Sequence, residues 1–268
     1  RDENITAVGA VPTMLALMTE HADYDPAMLS TLQLVMYGAA PMPMPLLSAL
    51  METYPRLGFH QAYGMTEICA IATGLTRDDH RTGGGILQSV GRPAIGVELE
   101  IRDPKSAALV PPGEVGEIWL RADSIMTEYW NKPEQTAASL VDGWYRTGDA
   151  ARIDGEGYVF LADRVKDMIV TGGENVYSLE VENALVDHPA VHAVAVVGLP
   201  DATWGERVHA VVVCEPGTVN AEELTALARE RIAGFKVPKS WSFQAEPLPL
   251  SAAGKVLKRD LRDRLSAS

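Results

Sequence analysis

The run LQLVMYGAAPMPMPLLSALMETY, residues 32–54, carries the alternation that decides the fold. Leu32 to Tyr37 is an almost unbroken apolar stretch of strand length. Gly38 to Pro41 turns the chain, and from Pro45 to Tyr54 the apolar residues return at helical spacing. A buried strand leading through a tight turn into an amphipathic helix is the repeating unit of a helix-covered parallel sheet. The same cycle comes just before it. Ile5 to Val11 is apolar and small, Pro12 interrupts, and Thr13 to His21 sets Met14, Leu17 and Met18 on one helical face.

Outward from this core the texture changes twice. From about Gly91 the strand-like runs Val97 to Arg102 and Val115 to Arg121 are separated by turn residues such as Pro111, Pro112 and Gly113, which reads as antiparallel or barrel-like sheet. From Lys166 alternation returns. A helix over Leu179 to Asp187 is ended by His188 and Pro189, strands follow over Val191 to Val197 and Val208 to Cys214, and a helix starts at Asn220. In that last helix Glu223 sits at the capping-box position, Leu224, Leu227, Ala228 and Ile232 form one face, and Gly234 is the stop. The expected class is α/β. Residues 1–165 form part of a large domain, with α/β sheet to about residue 90 and a β-rich subdomain over 91–165, and residues 166–268 form a small α+β C-terminal domain.

Bulk properties agree with two domains, since 268 residues at roughly 150 per domain can bury two cores. With 47% hydrophobic and 22% charged residues the chain has the balance of a globular protein. A net charge of -13 argues against nucleic acid or an anionic membrane as partner. No apolar run nears the ~20 residues of a membrane span. The two cysteines, Cys69 and Cys214, lie in apolar runs and read as small buried hydrophobes in a reducing, cytoplasmic setting. The first residues lack a signal-peptide layout, in keeping with a cytoplasmic setting, and the chain opens without an initiator Met directly on the strand-like run Ile5 to Val11, so it is expected to be a fragment.

Four segments hold residues suited to chemistry. Tyr63, Gly64, Met65, Thr66 and Glu67 combine an aromatic face for a base, a hydroxyl for a phosphate oxygen and a hard carboxylate for magnesium; the same five residues also make an ordinary structural turn. Gly143 to Asp149 ends on a carboxylate that suits a vicinal diol, or is a tight turn at a sheet edge with Asp149 solvated. Asp163 to Ile169 followed by Thr171 to Asn175 is either a solvated linker or a hinge beside a ribose-binding Arg164, with a diglycine turn at Gly172 and Gly173. Near the end, Lys255 follows Gly254 and precedes the basic amphipathic tail Val256 to Leu265. It is either an ordinary exposed lysine or a point charge for a developing anion.

Taken together and in this order, "YGAAP", "YGMTE", "SVGRP", "GEIWLR", "GWYRTGD", "DRVKDMIVTGGENVYSLEVE", "LPDATWGE" and "GKVLKRDLR" resemble the adenylate-forming superfamily of acyl-CoA synthetases, nonribosomal adenylation domains and luciferases. The resemblance runs from the first strand to the end of the chain. It implies that Gly38, Ala39, Ala40 and Pro41 line the adenine and acyl pockets and that Tyr63 packs on adenine. Thr66 would then contact phosphate, Glu67 magnesium, and Asp149 and Arg164 the ribose. Lys166 would be the hinge, Lys255 the lysine of adenylation, and Gly172, Gly173 and Trp204 would lie along the coenzyme A path.

The implied reaction activates a carboxylic acid, fatty or otherwise hydrophobic, with ATP and magnesium to acyl-AMP and passes the acyl group to coenzyme A. Domain rotation would bring Lys255 in for the first step and the diglycine loop for the second. The departures are Leu250 where relatives often carry Arg, Ala253 where they carry Thr or Ser, and Asp163 where Gly is common. The phosphate-binding loop of the family is expected upstream of Arg1, so the chain alone is expected to adenylate poorly. Delivery to a carrier protein, or a non-catalytic nucleotide-binding role, are the alternatives, and a homodimer is left open. Met36, Met42 and Met44 read as core packing sooner than as an acyl tunnel.

Overall fold

Two strand–helix cycles open the chain: β1 (Ala7–Ala10), α1 (Pro12–Glu20), β2 (Leu34–Gly38) and α2 (Met44–Thr53), followed by β3 (Gly58–Tyr63). In the computed structural model, which describes residues 3–40, 42–251 and 256–266, β1, β2 and β3 are parallel neighbours, with Val8 opposite Val35 and Val35 opposite Phe59. Alternation sets the two faces of the sheet. Val35 and Tyr37 are buried with Leu15, Leu47, Leu50 and Phe59, while Met36, between them, is exposed. Met42 and Met44 pack against that same core.

The sheet is not parallel throughout. After β3 the chain continues as β4 (Thr73–Leu75), α3 (Arg77–Thr82) and β5 (Arg92–Pro93), and both strands pair antiparallel, giving the order β1-β2-β3-β4-β5. A parallel crossover needs a connection of a dozen or more residues, usually helical. Residues 64–72 supply only the short turn of 3-10 helix Thr66–Ile68, so the strand doubles back. The antiparallel texture expected after Gly91 is present as β6 (Glu98–Arg102), β7 (Gly116–Arg121), α4 (Pro133–Ser139), β8 (Leu140–Val141), β9 (Trp144–Ile153) and β10 (Val159–Arg164), ordered β10-β9-β7-β6 with β8 beside β9. Its core gathers Ile101, Ile118, Leu120, Ala151 and Val159.

The third sheet comprises β11 (Ile169–Thr171), β12 (Glu174–Val176), β13 (Ala193–Asp201), β14 (Gly205–Val213) and β15 (Ser240–Gln244), with α5 (Ser178–Val186), α6 (Ala221–Arg231) and α7 (Lys258–Ser266). β13 from Ala193 to Leu199 and β14 from Val208 to Val213 are mainly apolar because both faces are covered, His209 being the polar exception. Val194, Val196, Val208, Ala210 and Val212 face Val181 and Leu185 of α5 and Leu224 and Ala228 of α6. Ala195, Val197, Val211 and Val213 face Leu261 and Leu265 of α7. Asn220 caps α6, its side chain accepting from the amides of Glu222 and Glu223, and the helix stops at Arg231, ahead of Gly234.

Contacts divide the chain into one unit of Arg1–Thr147 with Ala151–Leu161 and another of Gly148–Ala150 with Ala162–Ser268. Among the described residues no helix is long and apolar enough to cross a membrane.

Candidate functional site

In the first unit, two candidate loops leave the same edge of the parallel strands. Gly38 ends β2, Tyr63 ends β3, and Gly38 lies in register opposite Ala62. The C-terminal ends of parallel strands are where α/β sheets present ligand-binding loops. Gly38 is forced by this closeness, since a Cβ there would sit 2.2 Å from the carbonyl oxygen of Ala62. Ala39 next to it holds φ at +65°, a left-handed conformation that costs a non-glycine residue on the order of 1 kcal/mol. Pro41 lies outside the described residues.

The second loop runs from Tyr63 into the 3-10 turn Thr66–Ile68, which is closed by Cys69 N–H donating to the Thr66 carbonyl at 3.1 Å. Thr66 is exposed and Glu67 half-buried. Ile68 plugs this turn into the core at 1% exposure, which fixes where the hydroxyl and the carboxylate point. The Tyr129 hydroxyl donates to Glu67 Oε1 at 2.8 Å, and the Met126 amide donates to the Glu67 carbonyl at 2.8 Å. Tyr129 belongs to the site and escapes sequence reading. It is far from Glu67 along the chain, and a tyrosine beside an exposed Trp130 carries no local signature.

Cys69 departs from expectation. It is exposed, not buried, because φ of +58° at the end of the turn swings its side chain away from the Ile68 side; Cys214 is buried as expected.

Glu67 offers a hard oxygen donor of the kind magnesium takes, one or two at a time, alongside phosphate and water oxygens. Among the described residues no group of three or more His, Cys, Asp or Glu side chains converges.

In the second unit, Asp149 and Arg164 are brought together, with the guanidinium Nε 2.9 Å from Asp149 Oδ1. Asp149 is not on a solvated turn, since β9 runs on through it and leaves its side chain 13% exposed. The pairing holds a carboxylate and a five-donor guanidinium side by side, a combination able to accept from and donate to a vicinal diol. Lys166 is exposed within the 3-10 turn Val165–Asp167.

The diglycine is a two-residue hairpin between β11 and β12, with Thr171 opposite Glu174 and φ of +60° and +87° at Gly172 and Gly173, the positive pair that a type I′ turn demands. Trp204 lies against it, half exposed. Gly172 N–H donates to the Trp204 carbonyl at 2.9 Å, and a Cβ on Gly172 would meet the indole at 2.9 Å. The Asp201 carboxylate accepts from the amides of Thr203 and Trp204, which holds the tryptophan-bearing turn and lowers the Asp201 pKa. Lys255 lies outside the described residues.

Asp163, which reads from sequence only as a departure, has a defined place. The first turn of α5 has no cap from its own N-cap residue, Tyr177, and Asp163 Oδ2 accepts instead from the amides of Ser178 and Leu179. Helix N-termini favour such an anion.

Residues 1–130 match the AMP-binding enzyme family, and residues 180–255 match the AMP-binding enzyme C-terminal domain. A feruloyl-CoA synthase of Amycolatopsis sp is 43% identical over 263 residues, covering 98% of this chain and 52% of that protein. A fatty acid--[acyl-carrier-protein] ligase, ScoC of Streptomyces coeruleorubidus, is 41% identical over 265 residues, covering 98% and 50%. Among solved structures, the amide bond synthetase McbA from Marinactinospora thermotolerans superposes with a TM-score of 0.87 at 39% identity, over 98% of this chain and 53% of that one. The o-succinylbenzoate coenzyme A synthetase MenE from Bacillus subtilis, in complex with ATP and magnesium ion, gives 0.83 at 34% identity, over 98% and 52%. The chain spans about half the length of the curated relatives it matches.

Proposed function

The chain belongs to the AMP-binding enzymes of the adenylate-forming superfamily, and from that premise we propose that it contributes to an ATP-dependent, AMP-forming acyl-CoA synthetase acting on a fatty or other hydrophobic acid. The observation that carries this reading is the shared edge at which the Gly38–Ala40 and Tyr63–Glu67 loops leave β2 and β3. Tyr63 offers a ring for the adenine, Thr66 a hydroxyl for the α-phosphate, and Glu67 a carboxylate for the magnesium that ATP brings. Bound magnesium would neutralise phosphate charge. Asp149 and Arg164, already paired, would hold the ribose.

The catalysis asked of these residues is positioning and charge stabilisation. The acid's carboxylate displaces pyrophosphate at the α-phosphorus to give acyl-AMP, and the thiolate of coenzyme A then displaces AMP. Lys255 would oppose the charge that builds in the first step. Residues 166–268 would act as the mobile C-terminal domain, turning at Lys166, and the Gly172–Gly173 hairpin with Trp204 would flank the thiol path in the second step. The 41% identical carrier-protein ligase favours a second reading, in which the same adenylate is delivered to a carrier-bound thiol.

The test is pyrophosphate release with ATP, magnesium and a panel of acids, measured in the whole protein, with free coenzyme A added afterwards. Release followed by thioester supports the ligase, release without thioester supports the carrier-protein reading, and no release with any acid rejects both. In the same assay Lys255→Ala is expected to slow adenylation by about a hundredfold or more while sparing thioester formation from supplied acyl-AMP. Parallel loss in both steps would count against the assigned role.

A further inference from the structure

The turn that carries Trp204 has a carboxylate at each end, and both accept from backbone amides. Asp201 Oδ1 takes those of Thr203 and Trp204, at 2.9 and 3.0 Å. Glu206 Oε2 takes that of Val170 in β11, at 2.8 Å and far back along the chain. β11 meets β14 at the register pair Thr171 and Gly205, and Gly172 N–H donates to the Trp204 carbonyl at 2.9 Å. Three successive residues, Val170, Thr171 and Gly172, are thus each tied to one of Glu206, Gly205 and Trp204, and the row ends at the diglycine tip.

The fold leaves room for the Glu206 carboxylate. Gly198 on β13 lies beside it, and a Cβ there would meet Oε1 at 2.9 Å. Ile169 and Val176 seat the far end of the β11–β12 hairpin in the core. The tip has no such anchor, because Gly172 and Gly173 carry no side chains and Val170 is 38% exposed. A two-stranded hairpin is marginal by itself. Its place against the half-exposed indole therefore rests on the three links, of which the one to a carboxylate is charge-assisted.

We propose that Glu206 is a positioning residue for the acceptor step, holding the Gly172–Gly173 hairpin against Trp204 so that hairpin and indole present one continuous wall to the thiol arm of coenzyme A. This inference rests on the function proposed above. Glu206 touches no substrate in it and acts through the hairpin. Every residue of the arrangement follows Lys166, so the wall turns as one piece with the C-terminal domain.

In the whole protein, Glu206→Met, which keeps the length and loses the charged acceptor, is expected to raise KM for coenzyme A about tenfold in thioester formation from supplied acyl-AMP, while pyrophosphate release from ATP and acid changes by less than about twofold. Glu206→Gln, which keeps an acceptor oxygen, is expected to recover most of the loss. Gly198→Ala displaces the carboxylate without altering it. It is expected to act in the same direction more weakly, and it carries the test if Glu206→Met fails to fold in a thermal melt. Both half-reactions falling in parallel, or neither falling in a folded variant, overturns the inference. Trp204→Ala is the control. A wild-type protein that forms no coenzyme A thioester, or a Trp204→Ala protein that forms it normally, defeats the underlying reading, whereas Trp204-dependent thioester formation indifferent to Glu206 and Gly198 defeats this inference alone.

Discussion

Residue by residue, the candidate site depends on side chains held by neighbours remote in sequence. Glu67 is oriented by Tyr129, whose hydroxyl has its own pKa raised by burial. Removing that hydroxyl leaves the carboxylate in place but free to rotate. Tyr129→Phe is therefore expected to raise the magnesium concentration needed for half-maximal pyrophosphate release by about tenfold, the worth of a hydrogen bond to a charged group. An unchanged magnesium dependence would sever Tyr129 from the site. Thr66 and Glu67 are legible in the sequence because hydroxyl, carboxylate and aromatic ring fall in one short polar stretch. Tyr129 and Ser178 are not, since each earns its place through a contact that folding makes, and nothing in their immediate neighbours announces it.

Among elements, the parallel pair β14 and β15 carries a titratable group. His209 on β14 is 5% exposed, with Nδ1 2.8 Å from the Ser240 hydroxyl and Nε2 3.0 Å from that of Ser242, both on β15. Burial, with Arg207 nearby, pushes its pKa down from 6.5 to about 4. The imidazole stays neutral in the folded chain over a range in which the unfolded chain takes up a proton. Because the unfolded state binds more protons there, stability falls as pH drops from about 6.5 towards 4. His80, buried and hydrogen-bonded to the Tyr37 hydroxyl at 2.8 Å, is shifted in the same direction and adds to the slope. His209→Gln is expected to flatten it, read as urea midpoints at pH 7 and pH 5. A midpoint difference equal to that of the wild type would show that His209 does not titrate in this way. The central strands of this region are legible for the reason that makes them stable: both faces are covered, so Val and Ala dominate β13 and the second half of β14, with His209 the polar exception. α3 is not legible from apolar periodicity. It carries a complete Thr76–Asp79 capping box, but its six residues bury only His80.

For the whole molecule, separate cores matter more than length. The cores on either face of the third sheet are built from residues of the second unit alone. A piece spanning residues 162–268 is accordingly expected to melt cooperatively by circular dichroism, as a unit with its own core does. A broad, non-cooperative melt would refute its autonomy. The alternation in residues 32–54 is enough to reveal the α/β class. The reversal at β4 is hidden, because it depends on how little helix residues 64–72 can make, and that is a matter of loop geometry rather than of pattern. The left-handed turn at Cys69 has a practical consequence of its own. Of the two thiols in the chain, one is buried and the other, two residues beyond Glu67, faces solvent. A maleimide fluorophore added to the unaltered protein will therefore settle at a single position, and its emission becomes a direct optical report on whether the adjacent loop is occupied.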